Sequence, residues 1–307
     1  MTLQIRPLVN EFGVEVRGCD LAAADDATID RLTELYYEHS LLILPDQHLT
    51  PGEQAALTAR FGTPKIATRK EFNNPAHPTV AAIGNLSIDG VPAAFLNRQG
   101  VEWHSDSAAT TDNDVATFLS AVAVPTVGGD TMWCSLHIAY DTLTAALQDM
   151  ISGRQVCHSW NYHNDKVLRL SPGAFKPLTP KERAERPDLW ENLVHIHPVT
   201  GRKLYYMSHN LVIAISGLAA GETEKLTAHL LEHATLPGRV YRHRWTVGDI
   251  AIWDNHAVMH SATEIDYDGD LRLMHRSSCR THPLAWLARR RGMTSEGKHP
   301  ARVAAGS

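Results

Sequence analysis

Ile250-Ala251-Ile252-Trp253-Asp254-Asn255-His256-Ala257-Val258-Met259-His260 reads as a buried strand running into a short polar turn that carries a distal histidine. Ile250 to Trp253 is apolar without a break, the pattern of a strand covered on both faces. Working outward, Arg272 to Arg280 and Arg239 to Trp245 read as further strands. Leu226, Leu230 and Leu231 fall at helical spacing, and residues 192–207 form a hairpin pattern turning at Thr200-Gly201. Val115 to Val124 is β-rich, and a helix is expected from about His137 to Ile151, closed by Gly153.

The N-terminal part adds strand, helix, strand and helix. Phe12-Gly13-Val14-Glu15-Val16 alternates apolar with polar, and Ile29, Leu32, Leu35 and Tyr36 recur at helical spacing. Leu41-Leu42-Ile43-Leu44 is a second apolar strand, ended by Pro45-Asp46. Thr50-Pro51-Gly52-Glu53 sets an N-cap, a first-turn proline and a capping-box glutamate in order, so a helix should run to about Phe61. Lys65 to Gly100 is rich in Pro, Asn and Gly and reads as one long loop broken by a short strand at Val80-Ala81-Ala82-Ile83. Strands come in groups, without the regular alternation of a doubly wound sheet. The fold class is therefore mainly β with flanking helices, a sandwich or jelly roll. One domain is expected over residues 1–287, with 288–307 a disordered basic tail.

Composition narrows the function. The 307 residues are 43% hydrophobic and 21% charged, as in ordinary globular proteins. Thirty-four acids against 29 bases argue against a nucleic-acid binder that works by bulk positive charge. No apolar run approaches a membrane span, and no basic-then-apolar leader is visible, so a soluble cytoplasmic protein is expected, either alone or as a homo-oligomer. Cys19, Cys134, Cys157 and Cys279 lie far apart, which suits free thiols in a reducing compartment. Neither glycine-rich phosphate loop occurs, and no G-x-S-x-G elbow is present.

The chain has 18 histidines, so position must select among them. His104-Ser105-Asp106 places two ligand types at i and i+2, on one face of a strand. With a second histidine from elsewhere they would make the two-histidine, one-carboxylate triad of non-haem Fe(II) oxygenases. The tripeptide alone also fits a capping Asp beside a surface His. His195-x-His197 repeats the spacing, but no glutamate follows as a cupin-like site would want, which favours ordinary core or surface histidines. His256 and His260 lie at i and i+4 without the glutamate of a zinc protease.

Several ordered motifs together settle the choice. Trp103-His104-Ser105-Asp106-Ser107, Gly128-Gly129-Asp130-Thr131, Val240-Tyr241-Arg242-His243-Arg244-Trp245, Val247-Gly248-Asp249 and Trp253-Asp254-Asn255 with His260 resemble the taurine dioxygenase / 2,4-dichlorophenoxyacetate dioxygenase family. The resemblance spans residues 3 to 282. It is nearer the aryloxyacetate branch, through Asn85-Leu86-Ser87-Ile88-Asp89-Gly90 and Leu230-Leu231-Glu232-His233-Ala234-Thr235. It implies a double-stranded β-helix and an Fe(II) enzyme that uses 2-oxoglutarate and O2 as co-substrates. His104, Asp106 and His260 are then the iron ligands, Thr131 and Arg272 hold 2-oxoglutarate, and Arg276 holds an anionic group of the primary substrate. A guanidinium fork suits a carboxylate better than an ammonium would.

The resemblance also implies hydroxylation of a C–H bond in a small carboxylate-bearing molecule, with cleavage if the carbon bears an ether oxygen. Desaturation, epoxidation or ring modification of a natural-product acid is the alternative within the family. A zinc hydrolase or a silent small-acid binder is the alternative outside it. Ala67 and Lys70 stand where the taurine branch has its substrate-contacting histidine and tyrosine, so taurine is not expected as substrate. Arg69 and Lys70 could add positive charge near the pocket mouth, or stand in a solvated loop. Arg272 and Arg276, four apart, should share a strand face about 13 Å apart along it.

Overall fold

Leu41–Leu44 is buried at every residue because each of its faces meets a different core. Leu42 and Leu44 pack with Phe118, Ile250 and Ile252 beneath the helices, whereas Leu41 and Ile43 pack inward with Leu119, Trp133 and Trp253. This period-two division runs through the whole central sheet. The computed structural model describes residues 2–67, 69–95, 102–106, 108–111, 115–170, 177–266 and 269–290.

The large sheet has the order Gln4–Val9, Phe12–Arg17, Leu41–Leu44, Ile250–Asp254, Val115–Ala123, Leu273–Arg280 and Thr63–Lys65, with Val80–Gly84 also paired to Leu273–Arg280. A three-stranded sheet, Val240–His243, Thr131–Ser135 and Val258–Ala262, lies against its inner face through Trp133, Trp245 and Val258. Asp26–His39 and Pro51–Phe61 cover the outer face. The capping box expected at Thr50 and Glu53 is formed. The fold is a double-stranded β-helix with flanking helices. Among the described residues, no helix is long and apolar enough to cross a membrane.

Four expectations are corrected. The helix expected over 137–151 is two helices, Leu136–Asp141 and Ala145–Ile151. Thr142 turns its hydroxyl onto the Ile138 carbonyl, and Thr144 caps the Leu147 amide, so local hydrogen bonding restarts the helix. Val258–Ala262, which carries His260, is a strand, where the sequence pattern showed only a polar turn. Lys65 to Gly100 holds more structure than a loop with one strand. It adds a 3-10 turn at Lys70–Phe72 and a hairpin of Ser87–Ile88 with Val91–Pro92, while positions 68 and 96–100 lie outside the described residues. The expected tail begins inside a helix, Pro283–Arg290, whose Trp286 packs on Tyr37. Residues 291–307 lie outside the described part.

Candidate metal centre and co-substrate pocket

His104 and His260 are held to each other by the backbone: each amide donates to the other's carbonyl, at 3.0 and 2.8 Å. Their rings lie 4.2 Å apart, and Trp253 packs on His260. Asp106 is placed by Asn255, the last residue of the Trp-Asp-Asn motif. Asn255 Oδ1 accepts from the Asp106 amide and from Trp253 Nε1, and its carbonyl accepts from Ser105 Oγ. One ligand atom from each of His104, Asp106 and His260 lies within 4.8 Å of the others.

The electrostatics suit a cation. His104 Nδ1 donates to the Glu102 carbonyl at 2.7 Å, which leaves Nε2 with its lone pair. Burial, helped by neighbouring His104, pushes the His260 imidazole down to about 3 against the opposing pull of Asp106. It is therefore neutral and able to ligate at pH 7. Burial alone would raise the Asp106 carboxyl. Arg276 and the two imidazoles outweigh it and hold the group well below the usual carboxylate range. Two imidazole nitrogens and one ionised carboxylate are a donor set that fits Fe(II) with positions left open.

A cavity of about 400 Å³ opens from these three side chains. Thr131 and Arg272 are among the residues that line it. The Thr131 hydroxyl accepts from Trp245 Nε1 at 3.0 Å, so its own proton can be given to a ligand. Arg272 is steadied by Nε–H donation to the Gly129 carbonyl at 3.3 Å and by its amide on Asn85 Oδ1 at 2.8 Å. Gly128 and Gly129 have φ of +76° and +71°, and a Cβ on Gly128 would stand 2.1 Å from the Glu264 carbonyl oxygen. Only glycine permits this approach.

Arg276 and Arg69 also border the cavity, beside Ile66, Ala67, Ile83, Phe95 and Leu119. Arg272 stands one residue before its strand, and the register shifts between Leu273 and Met274, yet both guanidiniums reach the same cavity. Arg276 Nη2 contacts Asp106 Oδ2 at 2.9 Å. The Arg69 guanidinium lies 5.3 Å over the Phe95 ring. Lys70 is the exception: it is exposed in its 3-10 turn and does not line the cavity. Lys65, which the sequence reading passed over, lines it instead.

A family model described as "Taurine catabolism dioxygenase TauD, TfdA family" matches residues 4–278. The chain belongs to this family. It is thus an Fe(II)- and 2-oxoglutarate-dependent dioxygenase with O2 as the second co-substrate. It is 34% identical to an (S)-phenoxypropionate/alpha-ketoglutarate-dioxygenase of Sphingobium herbicidovorans, over 85% of this chain and 90% of that one. The alpha-ketoglutarate-dependent 2,4-dichlorophenoxyacetate dioxygenase of Cupriavidus pinatubonensis is 33% identical, over 87% and 94%. Among solved structures, AAD-2 in complex with Mn(II) and N-oxalylglycine superposes with a TM-score of 0.75 at 28% identity, covering 92% of this chain and 98% of that one.

Four further histidines of this dioxygenase, His158, His195, His197 and His256, lie in a polar layer behind the Trp-Asp-Asn turn. His197 Nε2 and Asp254 Oδ2 are 2.9 Å apart, both buried, and Asp254 Oδ1 accepts from the His256 amide. His195 Nδ1 meets His256 Nε2 at 3.0 Å, and His158, for which the sequence offered no partner, pairs with Glu191 at 2.9 Å. The two imidazoles of His195-x-His197 therefore brace the turn that carries Asn255. Asn255 and Thr117, whose hydroxyl donates to Asp106 Oδ2 at 2.9 Å, are the positioning groups sequence reasoning missed. The Trp-Asp-Asn motif was the available signal for Asn255; nothing marked Thr117.

Proposed function

We propose that His104, Asp106 and His260 bind Fe(II), that Thr131 and Arg272 bind the far carboxylate of 2-oxoglutarate, and that Arg276, with Arg69 at the mouth, receives a small carboxylate-bearing aryloxyalkanoate. The observation that carries this reading is one cavity lined by the triad, by the cations Lys65, Arg69, Arg272 and Arg276, and by apolar side chains. The names of the two relatives above support the substrate class. Bound iron would supply activation of O2 coupled to decarboxylation of 2-oxoglutarate to succinate and CO2, for oxidation of the substrate C–H bond. The chain's own part is orientation. Arg272 and Thr131 fix the co-substrate, Arg276 aims the carbon next to the carboxylate, and Ile83, Leu119 and Phe95 exclude water from it. When that carbon also carries the aryl ether oxygen, its hydroxylated form is a hemiacetal that collapses to a phenol and a 2-oxo acid. Work in the cytoplasm, without nucleic acid or membrane, belongs to the same reading, in keeping with four free cysteines.

The test is succinate formation across aryloxyalkanoates, alkyl sulfates and taurine, with phenol release followed in parallel. Aryloxyalkanoates should give matched succinate and phenol, and taurine none above the uncoupled rate. A preference for sulfates or taurine would overturn the substrate class. Arg272→Leu should raise the 2-oxoglutarate KM by about 30-fold or more, since breaking a buried charge pair costs roughly 2–5 kcal/mol. An unchanged KM would move the anchor away from Arg272.

A further inference from the structure

The segment that carries His104 and Asp106 is tied on its inner side by the His260 backbone, by Asn255 and by Ser208 Oγ, which accepts from the Ser105 amide. Its outer side depends on Glu102. The Glu102 carbonyl is the group that orients the His104 ring, yet residue 102 belongs to no strand. Lys166 Nζ, on the helix Trp160–Leu170, reaches Glu102 Oε1 at 2.5 Å, and both side chains are only 27% exposed. Glu102 Oε2 is buried with no hydrogen-bond partner among the described residues, and Lys166 is the ion-pair partner of that carboxylate. The helix is anchored in turn, because Asp165 pairs with Arg183 and Asn161 Nδ2 donates to the Arg186 carbonyl.

We propose that Lys166 is a positioning residue for the metal centre: through its ion pair with Glu102 it fixes the carbonyl that holds His104 in ligating orientation. The argument rests on the assignment of His104 as a metal ligand. Removing the ammonium leaves a half-buried carboxylate uncompensated, and the relief available to Glu102 is to swing outward to water. That motion carries its carbonyl away from His104 Nδ1 and frees the ring to rotate. Nothing in this chain of contacts touches 2-oxoglutarate or substrate, so the effect should appear in metal affinity.

Mn(II) binding to the metal-stripped full chain, measured by calorimetry at saturating 2-oxoglutarate, reads it directly. Lys166→Met should weaken Mn(II) about tenfold, the lower end of losses seen when a ligand's supporting hydrogen bond is disturbed. Lys166→Arg should stay within about twofold of wild type, because the pair is kept. The melting temperature of the metal-free protein should move by no more than about 2 °C, as for a partly exposed ion pair. If Lys166→Met does not fold, Glu102→Gln cuts the same pair and should give the same loss. Unchanged Mn(II) affinity in these variants overturns the proposal, as does a loss that Lys166→Arg fails to rescue. Wild-type affinity in His104→Ala would show that the ligand assignment has failed, and the latch with it.

Discussion

Replacing His104, Asp106 or His260 by alanine should cut turnover by about a thousand-fold, a loss of roughly 4 kcal/mol of transition-state stabilisation. Each removes one of three donors, and two donors hold Fe(II) neither tightly nor with open positions facing the cavity. The variants should differ in stability, which makes the prediction sharper. Asp106→Ala strands the Arg276 guanidinium, 2.9 Å from Oδ2, and also removes the acceptor of the Thr117 hydroxyl. It should therefore lower the melting temperature of the metal-free protein. His104→Ala should not lower it comparably, because the reciprocal backbone bonds to residue 260 survive the loss of the ring. Succinate assays together with thermal melts of stripped protein would check both halves. Substantial activity in any one of the three variants would break the triad assignment.

The sequence exposed those features whose physics is local. Leu41–Leu44 and Ile250–Asp254 were legible because both faces are buried, which leaves an unbroken apolar run. The cap at Thr50 was legible because the four residues that form it are contiguous. Val258–Ala262 was missed for the opposite reason. The polar turn read after Trp253 ends by residue 257, and the apolar pair Val258-Met259 before His260 is too short to mark a new strand. The helices Trp160–Leu170 and Pro180–Ala184 went unread, as did the small sheet of Leu189–Asn192, Gln155–His158 and Val212–Ile215. Leu189–Asn192 is at most half-buried, so its pairing is set by tertiary contact more than by pattern.

The site divides along the same line. His-x-Asp, the glycine pair and the arginine pair are short motifs whose spacing is the signal. The partner of Arg276 was not legible. Asp266 and Asp270 are nearer in sequence, yet Asp270 accepts from the amide of Thr126, and it is Asp106 that meets the guanidinium. Of the two readings of Lys70, the structure shows the solvated one. A 3-10 turn points Lys70 outward, and the cation lining the cavity in its place is Lys65, five residues earlier on a strand paired with Leu273–Arg280.

The proposed assignment gives Arg276 two tasks, so its removal should have a composite effect that one comparison can resolve. The guanidinium carries five N–H donors in a fixed fork. One nitrogen engages Asp106 Oδ2, and the side chain also borders the cavity. A substrate carboxylate seated there completes a bridge from substrate through Arg276 to the metal ligand. For wild type, a methyl ester should be a poorer substrate than its aryloxyalkanoic acid by about 30-fold or more in kcat/KM, since it forfeits a charge-assisted pair of roughly 2 kcal/mol. Arg276→Leu should lose activity on both, through Asp106. It should lose far more on the acid, so that acid and ester become nearly equal. The acid-to-ester ratio thus isolates substrate recognition from any disturbance of the metal centre, which affects both compounds alike. Mn(II) affinity of the same variant measures that disturbance separately. If wild type turns over the ester as well as the acid, or if Arg276→Leu leaves the ratio untouched, the anion is held elsewhere, and Lys65 and Arg69 become the cations to test.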